Sequence, residues 1–289
     1  MAKSPGNQTY PCDVMSDPIV SPNWLSSHIS SVIVADVRSY LDGRLGLDAY
    51  QTGHISGAIF IDLNDDLASF DPSQPTLGRH PLPTPQRFAA AMGNRGISHS
   101  DTIVAYDDMG GAMAARLVWM WRALGREAFL LDGGIQAWSG DLSVDAASRP
   151  ICECDVAPWP QNQVIDADGA ASLAAEGHLL DARVESRFLG HANPIDARLG
   201  HIPGARNAPW HGNLDPTTNR FLDAETLRGR YRALGVRNGQ RTGVSCGSGV
   251  TACHDLLAMQ RAGFSGGVLY SASWSGWTAD PDRPVEMGN

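Results

Sequence analysis

Short apolar runs alternate with stretches of helical periodicity along most of this chain. After the run Thr102–Tyr106, apolar residues between Ala114 and Leu124 recur every three or four positions, and a similar change of period follows Thr242 and Val244. Strands that alternate with helices in this way favour a parallel sheet covered by helices on both faces. The other runs that predict buried strands are Ser31–Val37, Ile59–Leu63, Ala128–Leu131, His178–Asp181 and Gly267–Tyr270.

The second half of the chain repeats the motifs of the first half. Asp36-Val37-Arg38 has a counterpart in Asp181-Ala182-Arg183, and Gly53–Ala58 has one in Gly200–Ala205. Self-similarity over the whole length predicts two copies of one structural unit. The fold class that we predict is therefore α/β, with two small parallel sheets flanked by helices.

A segment of different character separates the two copies. Residues 143–162 contain three prolines and show little periodicity, which is typical of a connection between domains. We predict an N-terminal domain over residues 17–142 and a C-terminal domain over residues 163–285. The polar segment Met1–Asp17 is expected to lie loosely on the surface.

Composition and charge narrow the class of protein. The 289 residues are 43% hydrophobic, and the formal net charge of −9 without a basic run argues against nucleic acid or an anionic membrane as partner. No signal peptide is visible and no apolar stretch approaches the ~20 residues that span a bilayer, so we expect a cytoplasmic protein. The five cysteines are scattered, so we expect no disulfide framework, no metal site and no cofactor.

The most informative local pattern surrounds Cys246, which stands at the end of a predicted strand and just before a predicted helix. Unpaired backbone N–H groups and the positive end of the helix dipole favour the thiolate, which is the nucleophilic form. The alternative is that Cys246 is a small buried hydrophobic residue. A negatively charged sulfur at this position could be surrounded by backbone N–H groups, with two hydroxyls in addition, from Gly247, Ser248, Gly249, Val250 and Thr251.

These motifs together resemble the tandem rhodanese-domain sulfurtransferases over roughly residues 17–285. The segments D-x-R and G-H-I-x-G-A occur in both units, C-G-S-G-V-T begins at Cys246, and Ser273-Trp274-Ser275 supports the match. The resemblance implies that only the C-terminal domain is catalytic. Its cysteine would accept sulfur from a small-molecule donor as a persulfide and pass it to a thiol or to cyanide, with thioredoxin as one candidate acceptor.

The resemblance also bears on the donor. The cysteine is followed by small residues and not by cations, a pattern similar to that of the branch of the family that uses 3-mercaptopyruvate. We therefore predict 3-mercaptopyruvate as the donor. The alternatives are a thiosulfate:cyanide sulfurtransferase and a non-enzymatic sulfur-carrier module. In that branch two arginines hold the substrate. Arg187 matches the first, whereas Ile195 stands at the second, with Arg198 close in sequence. The structural alternative for Arg187 is a surface ion pair with Glu185 or Asp181.

The N-terminal unit lacks the cysteine. Asp107 or Tyr106 stands in its place, so we predict that this unit is a scaffold that covers one side of the cleft. In the mercaptopyruvate branch a histidine works with an aspartate and the loop serine. The resemblance implies that His80 takes this part beside Ser248, although Asn64 replaces the aspartate. The alternative for His80 is a loop histidine bonded to backbone.

Two further functions are less well supported by the sequence. Related cysteine phosphatases and arsenate reductases need an arginine six positions after the cysteine, and here that position is Ala252. His54 and His201 recur in both units, including the unit without a cysteine. We therefore interpret both histidines as parts of a structural turn and not as metal ligands.

Overall fold

The computed structural model describes residues 16–288 and forms two α/β units of the same topology. The expected surface position of Met1–Asp17 concerns residues that lie almost wholly outside this range. Between residues 16 and 288, no helix is both long enough and apolar enough to cross a membrane.

The strands of the first unit are β1 (Ile19–Val20), β2 (Ile33–Asp36), β3 (His54–Ile55), β4 (Ile59–Phe60), β5 (Ile103–Tyr106), β6 (Ala128–Leu131) and β7 (Leu142–Ser143). Five of them form a parallel sheet in the order β1-β6-β5-β2-β4, and β3 and β7 form a separate antiparallel pair. Its helices are α1 (Pro22–His28), α2 (Gly46–Thr52), α3 (Pro85–Asn94) and α4 (Ala114–Ala123).

The strands of the second unit are β8 (Val164–Ile165), β9 (Leu179–Asp181), β10 (Arg206–Asn207), β11 (Thr242–Ser245) and β12 (Gly267–Tyr270). They form a parallel sheet in the order β8-β12-β11-β9-β10, which matches the first sheet strand for strand. This agreement confirms the predicted duplicated α/β fold. The helices are α5 (Ala167–Ala175), α6 (Glu185–Phe188), α7 (Ala224–Ala233), α8 (Thr251–Arg261) and α9 (Ser273–Trp277).

Strand register decides which residue of the first unit is equivalent to the cysteine. In the first sheet, Tyr106 pairs with the aspartate of the D-x-R motif, and in the second sheet Ser245 pairs with the corresponding aspartate. The residues that follow these two are therefore equivalent, so Asp107, and not Tyr106, takes the place of Cys246.

The histidine of the repeated G-H-I motif has the same contacts in both units. His54 Nδ1 lies 2.8 Å from the carbonyl oxygen of Tyr50, and its ring stacks on that tyrosine at 3.8 Å. His201 Nδ1 lies 2.8 Å from the carbonyl oxygen of Phe188 and stacks on it at 3.7 Å. Both rings are buried, in agreement with the structural interpretation of this motif.

The two units pack through α4 and α8, which are the helices that follow the two equivalent loops. Every residue of α4 is buried, because this helix lies between its own sheet and the second unit. A single large core of buried apolar side chains extends across both units. The start of each helix, and the loop before it, therefore lie at the boundary between the units.

A buried polar network lies beneath α8. The Oδ1 atom of Asp255 accepts a hydrogen bond of 2.6 Å from Asn213, whereas its Oδ2 atom has no partner among residues 16–288. Burial is the main cause that raises the pKa of Asp255 to about 7, against the opposing effect of Arg230, Asn213 and Tyr231. The folded protein therefore holds a proton here at a pH where the unfolded chain does not.

Replacing Asp255 by asparagine is expected to change how stability depends on pH. A raised carboxyl pKa stabilises the folded state at low pH, and this contribution is lost as the pH rises from about 4 to about 7. The unfolding free energy of Asp255→Asn minus that of wild type should therefore rise by a few kcal/mol as the pH increases across that window. Above the window this difference should stay constant. Urea unfolding of both proteins at several pH values measures the difference; a constant difference would contradict this prediction.

Candidate active site

Cys246 directly follows β11 and is 2% exposed. The backbone N–H of Gly249 points at the sulfur, at 3.1 Å from Sγ. Within residues 16–288, the N–H groups of Gly247, Ser248 and Val250 have no protein acceptor, and Thr251 begins α8. The loop therefore gathers unpaired donors close to one sulfur atom; we call residues 246–251 the cradle.

The backbone of the cradle depends on two residues in the left-handed region. Gly249 has φ 80°, and a Cβ atom there would collide with the carbonyl group of Ser271, so only glycine fits. Ser273 has φ 51°; its hydroxyl accepts a hydrogen bond of 3.0 Å from the N–H of Cys246 and donates one of 2.8 Å to the carbonyl of Tyr270. A strained serine thus fixes the start of the loop.

The first turn of α9 holds the cradle from behind. The N–H of Trp274 donates to the carbonyl of Cys246 at 3.0 Å, and the N–H of Ser275 donates to the carbonyl of Gly247 at 2.9 Å. These two bonds tie the backbone of the cradle to the start of α9. The Ser273-Trp274-Ser275 segment that the sequence singled out is therefore the support of the loop.

The first unit contributes His80 to the site. His80 Nδ1 lies 2.7 Å from the hydroxyl of Ser248, and His80 Nε2 lies 3.2 Å from Oδ1 of Asn64. Burial, followed by the charges of Arg116 and Arg79, lowers the pKa of His80 to about 4, so the ring is neutral at pH 7. With the Asn64 oxygen accepting from Nε2–H, Nδ1 is left to accept the hydroxyl proton of Ser248.

Arg187 lies beside the cradle and is held by a carboxylate. It donates to Asp196 at 2.8 and 2.6 Å, a two-pronged ion pair with a residue other than Glu185 or Asp181, the partners that the sequence suggested. The Nη2 atom of Arg187 lies 3.0 Å from the position that a Cβ atom on Gly247 would occupy. Glycine at this position therefore leaves room for Arg187 next to the cysteine loop.

Arg79 is a residue of the site that the sequence did not indicate. Its Nη2 atom lies 3.2 Å from the same point above Gly247, and Nη1 donates to the carbonyl of Ile195 at 3.3 Å. No carboxylate in the described part of the chain forms an ion pair with Arg79. Arg198 does not take the place of the second arginine, because its guanidinium donates to the carbonyl groups of residues 280 and 283.

The equivalent loop of the first unit is filled by its own carboxylate. Asp107 is fully buried, and its two oxygens accept four backbone hydrogen bonds of 2.8 to 2.9 Å. A loop in this position of the fold can therefore direct several backbone N–H groups at one anion. The four donors are the N–H groups of Met109, Gly111, Met113 and Ala114.

Cys253 lies inside α8, close behind the cradle. Its thiol donates to the carbonyl of Gly249 at 3.4 Å, and burial raises its pKa to about 12. Cys253 is therefore a neutral thiol at pH 7 and not a second thiolate. Among residues 16–288, no group of three or more histidine, cysteine, aspartate or glutamate side chains is placed to hold a metal ion.

Comparisons with known proteins place the chain in a family. The family described as "Rhodanese-like domain" matches residues 21–141 and 166–280. A Pseudomonas aeruginosa protein with the provisional name 3-mercaptopyruvate sulfurtransferase is 39% identical over 282 residues, which cover 94% of this chain and 98% of that protein. A Mycobacterium tuberculosis protein with the provisional name thiosulfate sulfurtransferase SseB is 37% identical over 266 residues, with 89% and 91% covered.

A solved structure agrees with the sequence comparison. The crystal structure of SseA from Escherichia coli, described in terms of the rhodanese fold of 3-mercaptopyruvate sulfotransferases, superposes with a TM-score of 0.77 at 30% identity. The superposition covers 90% of this chain and 99% of SseA. Each matched range contains four of the five strands of one sheet, and begins directly after β1 or β8. The chain therefore belongs to the rhodanese-like domain family and carries two copies of that domain.

Proposed function

We propose that this protein is a 3-mercaptopyruvate sulfurtransferase and that Cys246 carries the sulfur. The Cys246 thiolate attacks the donor sulfur, and the carbon–sulfur bond breaks with its electron pair left on carbon as the enolate of pyruvate. The proton that was on the donor sulfur ends on that carbon, which gives pyruvate and a Cys246 persulfide anion. A thiol or cyanide then removes the outer sulfur and restores the thiolate.

The observation that carries this proposal is the pair of guanidinium groups above Gly247, next to the cradle. Arg187 is fixed by Asp196, while Arg79 retains donors without a carboxylate partner in the described chain. Two planar cations beside a nucleophile suit a small substrate that carries a carboxylate. The cradle in turn suits the negative charge on a bound outer sulfur, with Gly247, Ser248, Gly249, Val250 and Thr251 as its donors.

The Ser248–His80 pair would serve the ketone end of the donor. When the carbon–sulfur bond breaks, negative charge develops on the ketone oxygen, and a hydroxyl donor nearby stabilises it. In the resting site the Ser248 hydroxyl donates its one proton to the neutral His80 ring, and it would turn from Nδ1 to the ketone oxygen as negative charge develops there. Asn64 keeps the ring in one tautomer but adds no negative charge, so this chain would work without an imidazolium–carboxylate pair.

We further propose the domain roles and setting that the sequence suggested. Residues 17–142 form a non-catalytic domain and residues 163–285 the catalytic one, joined by the connection at 143–162. The protein works in the cytoplasm without a cofactor, with a small-molecule sulfur donor and with thioredoxin among its thiol acceptors. The negative net charge supports the exclusion of nucleic acid and of anionic membranes as partners.

Thiosulfate is the second candidate donor, supported by the name of the Mycobacterium tuberculosis relative and by the local positive charge. Thiocyanate formation from cyanide, measured with each donor in turn, separates the two. The proposal expects kcat/KM for 3-mercaptopyruvate to exceed that for thiosulfate by at least tenfold. A preference for thiosulfate would replace the proposed donor, and no thiocyanate from either donor would leave only the non-enzymatic carrier module.

Replacing Arg79 by methionine is expected to raise KM for 3-mercaptopyruvate by about 10- to 100-fold, because a hydrogen bond to a charged group contributes about 1.5–3 kcal/mol. Arg79→Lys should recover part of the loss. As a matched control, Arg198→Met removes a nearby guanidinium that binds only backbone carbonyls, and KM should stay near the wild-type value. Equal KM values in Arg79→Met and wild type would contradict a substrate-binding role.

A further inference from the structure

We propose that Arg116, which lies on α4 of the first unit, is an electrostatic positioning residue of the cradle in the second unit. It does not touch the reacting atoms. It acts through the carbonyl group of Gly249 and through the segment that carries His80. The inference deepens the proposed function and rests on it only for the identity of the anion that the cradle holds.

The contacts of Arg116 join the two halves of the site. The side chain is 0% exposed. Its Nη1 atom donates to the carbonyl of Gly249 at 3.0 Å, and its Nη2 atom donates to the carbonyl of His80 at 3.0 Å. One planar group therefore fixes the cradle and the histidine loop relative to each other, across the boundary between the units.

The positive charge of Arg116 has no fixed counter-charge in the part of the chain that the structure describes. No carboxylate between residues 16 and 288 forms an ion pair with it, and its Nε atom has no hydrogen-bond partner there. A buried cation without a partner is costly, and the cost is relieved when an anion lies nearby. The thiolate or persulfide that the proposed function places on Cys246, in the loop that Arg116 contacts, would be such an anion.

The contact also strengthens a donor of the cradle. A carbonyl that accepts a charged hydrogen bond polarises its peptide group, so the N–H of the same peptide becomes a better donor. For the Gly249 carbonyl this N–H belongs to Val250, which finds no acceptor among the described residues. The carbonyls of Cys246 and Gly247 accept from Trp274 and Ser275 of the second unit. The carbonyl of Gly249 accepts from Arg116 of the first unit as well as from the Cys253 thiol.

The structure contains a reciprocal contact that lacks the charge. From α8 of the second unit, His254 Nε2 lies 3.1 Å from the carbonyl of Gly110, in the loop whose centre Asp107 fills. Burial lowers the pKa of His254 to about 4, so this residue is neutral at pH 7. His254 is therefore a matched control: it is a buried contact between the units, made to the loop without the cysteine.

The test measures the reactivity of Cys246 directly. Wild type, Arg116→Gln and His254→Gln are treated with iodoacetamide from pH 4 to 10, and alkylation of the Cys246 peptide is quantified by mass spectrometry. We expect the midpoint of the Arg116→Gln profile to move up by about one pH unit, with roughly tenfold slower alkylation at low pH, because removal of a cation disfavours the thiolate. The other cations that face the cysteine loop stay in place in both variants: Arg79, Arg183 and Arg187. The His254→Gln midpoint should remain that of wild type, even where the variant unfolds at a lower temperature.

The outcomes separate the hypotheses. An unchanged midpoint in Arg116→Gln, or an equal shift in both variants, overturns the inference. If Arg116→Gln does not fold, Arg116→Lys keeps the charge and loses one of the two bonds; a wild-type midpoint then supports an electrostatic role, and a midpoint one unit higher overturns it. Alkylation needs no sulfur donor, so a shifted midpoint without thiocyanate formation would leave this inference standing while the proposed function fails.

Discussion

Replacing Cys246 by serine is expected to abolish sulfur transfer, with a loss in kcat on the order of 10³-fold or more. A serine hydroxyl is not ionised near neutral pH and cannot hold the transferred sulfur as a persulfide. The fold should survive, because the Gly249 N–H can donate to a serine oxygen as it does to the sulfur. Thiocyanate formation from 3-mercaptopyruvate and cyanide measures the loss.

The control for this prediction is a second cysteine that is partly exposed and distant in sequence. Cys152 contacts the first unit through its backbone N–H, which donates to the carbonyl of Gly93 at 3.1 Å, so Cys152→Ser removes a thiol and keeps that bond. It should turn over at the wild-type rate. Residual activity above a tenth of wild type in Cys246→Ser would show that the sulfur passes through another group.

Replacing Asp107 by alanine is expected to lower the unfolding free energy by about 4 kcal/mol or more. Three buried N–H groups and one partly buried N–H group would lose their acceptor, and each unsatisfied buried donor costs about 1–3 kcal/mol, reduced where water enters. Burial raises the pKa of Asp107, and its four backbone hydrogen bonds oppose this rise because they stabilise the ionised carboxylate. Urea unfolding measures the change.

The neighbouring Asp108 supplies the control. It is half-buried and accepts one hydrogen bond of 2.6 Å, from the hydroxyl of Tyr40, so Asp108→Ala should cost about 1 kcal/mol. If Asp107→Ala and Asp108→Ala were equally stable, the loop of the first unit would not be held together by its central anion. The inference that both loops gather backbone N–H groups around one anion would then be wrong.

Much of the fold could be predicted because strands and helices are local patterns. Ala128–Leu131 and Gly267–Tyr270 have the predicted bounds, since turn residues end each apolar run. The predicted strand Ile59–Leu63 is shorter, with only Ile59–Phe60 paired, because β4 lies at the edge of the sheet and has one neighbour. Apolar residues can continue past an edge strand when the core lies beneath them, as Ile61 and Leu63 do.

The site could be predicted only where it is local. The cradle is one continuous segment, and its small residues and helix start are visible in the sequence around Cys246. Arg79 and Arg116 belong to the other unit. Arg116 reaches the cradle because α4 packs on α8, and Arg79 because the segment around it packs on α9; no local period encodes either contact. Their one signal in the sequence is the position of Arg79 next to His80. The choice of Asp107 over Tyr106 likewise needed the register of two strands.

The most direct test of the central claim is the mass of the protein after treatment with 3-mercaptopyruvate and no acceptor. If the main-chain donors of the cradle hold a sulfur on Cys246, the intact mass rises by ~32 Da, and the added sulfur maps to the Cys246 peptide. Cyanide should remove it, and Cys246→Ser should never acquire it. An unchanged mass, or a sulfur that maps to Cys152 or Cys154 in place of Cys246, would contradict the account.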